Sequence, residues 1–314
     1  MDRDTRTLIV KLNATGDVLR TTPLLRRLPG QVTWITAPNN LDLLRGLSPR
    51  LECLPWADRQ RALGTEFDLL INLEDEPETG AFASEVRCTR RFGAYLDGTG
   101  TVRYTDDASA WFDLSLVSRH GRAAADRLKL QNRRTYQEMI FEGLGYRFQG
   151  EPYLLPDVRN DRLTGDVALA PRSGPVWPMK NWAYYGELQE VLEARGLKVN
   201  VLPTRDSLLE HIADIRNHRC LVSGDSLPMH VALGAGIPCV SLFTCTSPWE
   251  IHDYGLQAKI VSPLLERFFY QRGLDPAATT AVPLEDVVDA VLRTLGHCRS
   301  AMERDDERSE PVAP

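Results

Sequence analysis

Two short segments, one in each half of the chain, limit most strongly what it can fold into. Leu8-Ile9-Val10-Lys11-Leu12-Asn13-Ala14-Thr15-Gly16-Asp17-Val18-Leu19 reads as a strand running through a turn into a helix. Val222-Ser223-Gly224-Asp225-Ser226-Leu227-Pro228-Met229-His230-Val231-Ala232-Leu233 repeats that sense of strand, Gly-Asp turn and helix start. In an open parallel α/β sheet, ligands bind at the carboxyl ends of the strands. Two such turns in two α/β halves therefore predict two wound domains with a cleft between them. A carboxylate of the first half would face a charged ligand held by the second.

The length supports the division, since 314 residues exceed the usual size of one core. Short apolar runs alternate with longer amphipathic ones, the pattern of parallel βαβ units. Strands are expected at 7–12, 32–36 and 68–73, then at 167–170, 198–202, 220–223 and 238–243. Helices are expected at 17–28, 134–144, 182–195, 207–216, 228–235 and 284–295. Pro23 should kink the first helix, or Thr22 should cap a restarted one. Gly196 and Gly236 should take left-handed conformations just past helix ends. The polar stretch 149–166 is the expected linker. It divides the chain into residues 1–155 and 156–298, followed by a charged, disordered tail at 299–314.

The net charge of −6 argues against a broad nucleic-acid footprint, which needs a basic face. No apolar run approaches the roughly 18 residues of a membrane span. The opening Met1-Asp2-Arg3-Asp4 is not patterned as a secretory signal, so a cytosolic location is expected. The six cysteines lack zinc-ribbon spacing and read as reduced, mostly buried thiols. His211 and His218 have no third ligand at a recognised spacing. Glu74-Asp75-Glu76 follows a strand and has the chemistry to bind magnesium, although an acidic turn is more often solvated. No metal and no cofactor are expected.

At the first turn, Asp17 has two readings. It is a helix N-cap, the more common use of Asp there, or a carboxylate that takes a proton from an incoming hydroxyl. The single glycine rules out the dinucleotide fingerprint, and the missing Gly-Lys-Ser/Thr rules out a Walker A loop. At the second turn, Pro228 suits a first helical turn, and the amides of Ser226, Leu227 and Met229 form a candidate anion site. Asp225 suits sugar hydroxyls or a lysine partner, and His230 has the bland alternative of packing against the sheet. Between these turns, Lys180 lies in Trp177-Pro178-Met179-Lys180-Asn181-Trp182. It is placed to neutralise a leaving diphosphate with help from Arg172 and Ser173, or it is simply exposed between two wedging tryptophans. Arg87, Arg90 and Arg91, extended by Arg59 and Arg61, form a basic group suited to an anionic acceptor, or a solvated one.

Taken in order, these motifs resemble glycosyltransferase family 9, the ADP-heptose:lipopolysaccharide heptosyltransferases. The opening Leu8–Leu12, Gly16-Asp17-Val18-Leu19 and Thr22-Pro23-Leu24 look like the family's first signature. Trp177-Pro178-Met179-Lys180-Asn181-Trp182 is similar to its Trp-x-x-Lys-x-Trp loop, and Asp225-Ser226-Leu227-Pro228-Met229-His230 to its Asp-Ser-Gly-x-x-His block. The resemblance spans residues 7–295. It implies a GT-B fold of two Rossmann-like domains around an interdomain cleft, and an inverting, metal-independent transfer from a nucleotide-diphosphate heptose to a glycan or glycolipid hydroxyl. By position it makes Asp17 the base and Lys180 the partner of the leaving diphosphate. Arg172, Ser173, Asp225, Ser226, Leu227, Met229 and His230 would bind the donor, and Asn13, Thr15, Arg90 and Arg91 the acceptor. It places the enzyme in the cytoplasm, compatible with peripheral contact at the inner face of the membrane.

The chain departs from the family at Asn13, at Arg172, and at Leu227, where glycine is usual. The family's acidic ribose contact falls to Asp206 or Glu210. Alternatives are a GT-B protein that binds a nucleotide sugar or glycan without catalysis, an epimerase, and a transferase acting on a small specialised metabolite.

Overall fold

The computed structural model describes residues 5–115, 119–160 and 162–309, with side chains through Gly296. The chain divides into two compact units, Met1–Asp157 with Trp249–His252, and Val158–Pro248 with Asp253–Pro314. The break at 157/158 falls inside the polar stretch 149–166. Four residues far along the chain, Trp249–His252, pack with the first unit, which no reading of composition anticipates.

The first unit runs β1 (Arg6–Val10), α1 (Thr15–Thr21), β2 (Gln31–Thr36), α2 (Leu41–Leu44), β3 (Leu51–Pro55), β4 (Phe67–Asn72), α3 (Pro77–Glu85), β5 (Cys88–Leu96), β6 (Val102–Tyr104), α4 (Ser109–Phe112), α5 (Arg122–Gln131) and α6 (Tyr136–Gly143). Its sheet has the order β3-β2-β1-β4-β5-β6. All described pairings are parallel except β5 with β6. Leu8, Ile9 and Val10 are fully buried, as expected for a strand covered on both faces. Leu8, Val10, Ile35, Leu70 and Phe82 share one core cluster.

The second unit runs β7 (Gly165–Ala170), α7 (Tyr185–Glu193), β8 (Val199–Val201), α8 (Leu208–Arg216), β9 (His218–Gly224), α9 (Leu227–Ala235), β10 (Cys239–Phe243), β11 (Gln257–Val261), α10 (Leu265–Phe268), α11 (Pro276–Thr280) and α12 (Leu284–Ser309). Its sheet order is β11-β10-β9-β7-β8, parallel throughout. Val167, Leu169, Val222, Val240 and Leu242 form its core with Leu188, Val287 and Val291 from the helices. Both units are thus doubly wound Rossmann-like sheets.

Each sheet reverses its winding at one place, between β1 and β4 in the first unit and between β7 and β9 in the second. The crevice at such a switch point is where open α/β sheets hold ligands. The turn after β1 carries Asp17, the loop after β7 carries Lys180, and the turn after β9 carries Asp225.

Several expected elements change shape. The first helix stops at Thr21, and a 3-10 turn over Thr22–Arg26 holds Pro23 at its start. Thr22 does not cap it; its hydroxyl donates to Leu19 O at 2.7 Å and accepts from Leu154 N at 2.8 Å. Gly196 and Gly236 have φ of 81° and 72°, the left-handed region. β3, β5, β6 and β11 depart from the expected strands, because polar residues interrupt each of them. Most of the stretch expected as a tail continues α12 to Ser309, and residues 310–314 lie outside the described residues.

Candidate functional site

At the first switch point, a side chain from after β4 fixes the turn after β1. One oxygen of Glu74, Oε1, accepts from Lys11 Nζ at 2.9 Å, from Leu12 N at 2.6 Å and from Asn13 N at 3.2 Å. Lys11 Nζ also donates to Asn13 O, and Asn40 Nδ2 donates to Leu12 O at 2.7 Å. Lys11 is almost completely buried, so its charge needs this partner. Glu74 is therefore committed to the turn rather than free for magnesium. Among the described residues, no group of three or more His, Cys, Asp or Glu side chains is gathered as a metal ion would require.

This clamped turn delivers the chain into α1. The N-cap position falls on Ala14, and Asp17 is the third helical residue, its amide bonded to Ala14 O at 2.8 Å. The capping alternative for Asp17 is thereby removed: its carboxylate faces outward, 3.4 Å from Arg20 Nε and about one-third exposed. Thr15 Oγ1 accepts from Asn39 Nδ2 at 3.3 Å beside it. Asn13 and Thr15 thus line the same turn as Asp17.

Arg90 and Arg91 do not join them. Arg90 pairs across the sheet with Leu69, which pairs with Thr7, well before the carboxyl end of β1. Its guanidinium donates to Leu144 O, Gly143 O and Asp107 Oδ2 at 2.8–3.1 Å, tying β5 to the end of α6. Arg91, next along the strand, faces Tyr95, its Cζ lying 5.5 Å from the ring centroid. Successive strand residues point to opposite faces, so two adjacent arginines cannot make one patch here.

At the second switch point, Lys180 Nζ donates to Asp225 Oδ2 at 2.8 Å and to Asp225 O at 2.6 Å. Thr246 Oγ1 donates to the same Oδ2 at 2.7 Å. Burial alone would push the Asp225 carboxyl up. The charges of Lys180 and His230, with the hydrogen bonds from Lys180 and Thr246, overcome it and hold the group well below the usual carboxylate range. Lys180 is buried, not exposed between tryptophans, although its ammonium does lie 6.0 Å from the Trp177 ring. Trp182 is buried separately and donates Nε1 to Val282 O at 2.9 Å.

The loop reaches Asp225 because β9 ends in glycine. A Cβ on Gly224 would sit 2.9 Å from the Lys180 carbonyl oxygen, closer than such contacts allow. Ser173 proves to be a loop-former: its amide and hydroxyl both donate to Asn181 Oδ1, at 2.7 and 2.8 Å, which closes the loop over Arg172–Lys180. Arg172 is exposed and makes no ion pair among the described residues. At the start of α9, Met229 N is spent on Ser226 O at 3.1 Å, so the anion-binding turn reduces to the amides of Ser226 and Leu227. His230 is buried, and its electrostatic interaction with Asp225 helps to hold that carboxyl down. Of the two ribose candidates, Glu210 pairs with Arg162 at 2.6 Å, while Asp206 is exposed.

Comparison with known proteins falls on this second unit. Residues 176–268, which include Lys180, Asp225, His230 and Thr246, match the model of glycosyltransferase family 9 (heptosyltransferase). Over that stretch the chain is similar to glycosyltransferase family 9. No curated protein sequence matches it. Among solved structures, a family 9 glycosyltransferase from Veillonella parvula shares 15% identity, with a TM-score of 0.64 over 94% of this chain and 98% of that one. E. coli heptosyltransferase WaaC, solved with ADP, shares 17% identity, with a TM-score of 0.57 over 91% and 100%. E. coli ADP-heptose LPS heptosyltransferase II shares 16%, with a TM-score of 0.55 over 92% and 99%. At these identities the structures establish the shared GT-B fold, and the family-model match over residues 176–268 supports a glycosyltransferase.

Proposed function

We propose that this protein is a family 9 glycosyltransferase, an inverting, metal-independent transferase. It moves a heptose or related sugar from a nucleotide-diphosphate donor, ADP-heptose first, to a hydroxyl of a glycan or lipopolysaccharide-type acceptor. The observation that carries the reading is the buried Lys180–Asp225–Thr246 group at the switch point of the matched unit. An ammonium has three donors. Two are engaged by Asp225, which leaves one to meet a phosphate oxygen beside the Ser226 and Leu227 amides. That arrangement stabilises negative charge as the bond from the anomeric carbon to the diphosphate breaks. Asp17 accepts the proton of the attacking hydroxyl, with Asn13 and Thr15 beside it to orient the acceptor. Arg172 offers a further cation to the donor.

The choice of ADP-heptose is supported by the E. coli WaaC structure, solved with ADP-2-deoxy-2-fluoro heptose. No described helix is long and apolar enough to cross a membrane. Peripheral contact at the inner face of the membrane would bring the site to a lipid-linked acceptor. Binding and turnover across ADP-, GDP-, UDP- and dTDP-sugars test the donor: ADP-heptose should be preferred, and preference for another base would overturn that choice. Transfer should survive excess EDTA. Loss of activity restored by magnesium or manganese would reject the metal-independent mechanism.

A further inference from the structure

The roles above leave unused a charged group one helical turn beyond Asp17. Arg20 is 8% exposed, and its guanidinium carbon lies 3.9 Å from the centroid of the Tyr136 ring. Burial disfavours its charge, but Asp17, Tyr136, Glu250 and Tyr153 outweigh that and keep it firmly protonated. Arg20 Nη2 is 3.8 Å from Glu250 Oε2, and Glu250 belongs to the four-residue segment that packs with the first unit. Gln137 Nε2 donates to Arg20 O at 2.9 Å, and the Tyr136 hydroxyl shares a 2.6 Å hydrogen bond with Thr21 Oγ1. Helix α6 and the Trp249–His252 segment therefore both pack against α1 at this side chain.

One donor of that held guanidinium is unspent. Arg20 Nε makes no hydrogen bond, although Asp17 Oδ1 is 3.4 Å away. The contact is a charge pair short of hydrogen-bond geometry. Leaving a buried donor unsatisfied is costly, and the carboxylate beside it is the one read as the base. We infer that Arg20 is a positioning residue for Asp17, itself anchored from its far side by Glu250. The inference rests on the reading of Asp17 as the base. Oδ1 turns onto the guanidinium Nε–H, and Oδ2 is left to face the acceptor hydroxyl. Lysine does not reproduce this, because it lacks the planar fork that stacks on Tyr136 while reaching two carboxylates.

The experiment uses the full chain with ADP-heptose as donor. Arg20→Gln should lower kcat by on the order of 10- to 100-fold through misplacement of the base, with donor KM and ADP affinity within about twofold of wild type. Arg20→Lys should recover part of the loss by keeping the charge, and Glu250→Gln should show a smaller fall in kcat of the same kind. An unchanged kcat in folded Arg20→Gln, or a donor KM that rises in step with the loss, overturns the inference. A second readout needs no turnover. The Arg20 Nε–Hε resonance in 15N spectra should shift or broaden in Asp17→Asn and in Glu250→Gln, but not in Lys180→Ala. A resonance indifferent to Asp17→Asn overturns the inference even where turnover is normal. A wild-type enzyme that turns over no nucleotide sugar defeats the transferase reading instead, and the resonance still reports whether the Asp17–Arg20 bridge exists.

Discussion

The chain uses the dipeptide Gly-Asp twice at a strand-to-helix turn, and the two aspartates end in different surroundings. Asp225 precedes its helix, is buried, and has Oδ2 filled by Lys180 and Thr246. Asp17 lies inside the first turn of its helix, is one-third exposed, and makes a loose charge contact with Arg20. A carboxylate saturated with donors holds its neighbours in place and resists protonation. One with an open oxygen can take a proton. The comparison teaches that the same local sequence leaves a carboxylate saturated or open according to how many donors the tertiary structure brings to it.

The largest expected effect breaks the reactant side. Asp17→Asn should lower turnover by roughly 10²–10⁴-fold while leaving ADP affinity intact. Near-normal turnover in the purified variant would return Asp17 to a structural part. Asp225→Ala should do the reverse. It strands the buried Lys180 ammonium, and losing one member of a buried pair costs about 3–5 kcal/mol, measurable by urea unfolding. A stability within error of wild type would show that Asp225 is no holder.

Lys180→Ala sharpens the donor side. It should weaken ADP binding by on the order of 10- to 100-fold, as expected for a charged hydrogen bond, and slow transfer together with it. Calorimetry showing wild-type affinity would remove Lys180 from the diphosphate.

The smallest effect concerns pH and again sets one unit against the other. Burial first, then the neighbouring charge of Glu74, push the Asp75 carboxyl up to about 6. The folded chain then keeps a proton that the unfolded chain releases near pH 4, so this group's contribution to stability falls as pH rises from about 4 to 6. Asp225 has the opposite sign: its depressed value favours the fold above pH 4 and is lost as pH drops further. Asp75→Asn should flatten the decline in Tm between pH 4 and 6. An unchanged slope would place the effect on another group.

The sequence by itself determined what is local. The strand, turn and helix at each Gly-Asp, the break at Pro23, the left-handed glycines at 196 and 236, and the two-unit α/β character follow from periodicity and turn chemistry over a dozen residues. The ordered motifs that resemble family 9 were legible for the same reason. Tertiary structure decided everything that depends on distant partners. Lys11 meets Glu74 across 63 positions and Lys180 meets Asp225 across 45. Glu250 reaches Arg20 from the opposite end of the chain. Strand register placed Arg90 away from the carboxyl edge and turned Arg91 to the other face. A side chain's charge state depends on burial and on the donors around it, and both are set by which strands lie side by side. Local sequence therefore marked the aspartates, and only strand order and register decided how many donors reach each one.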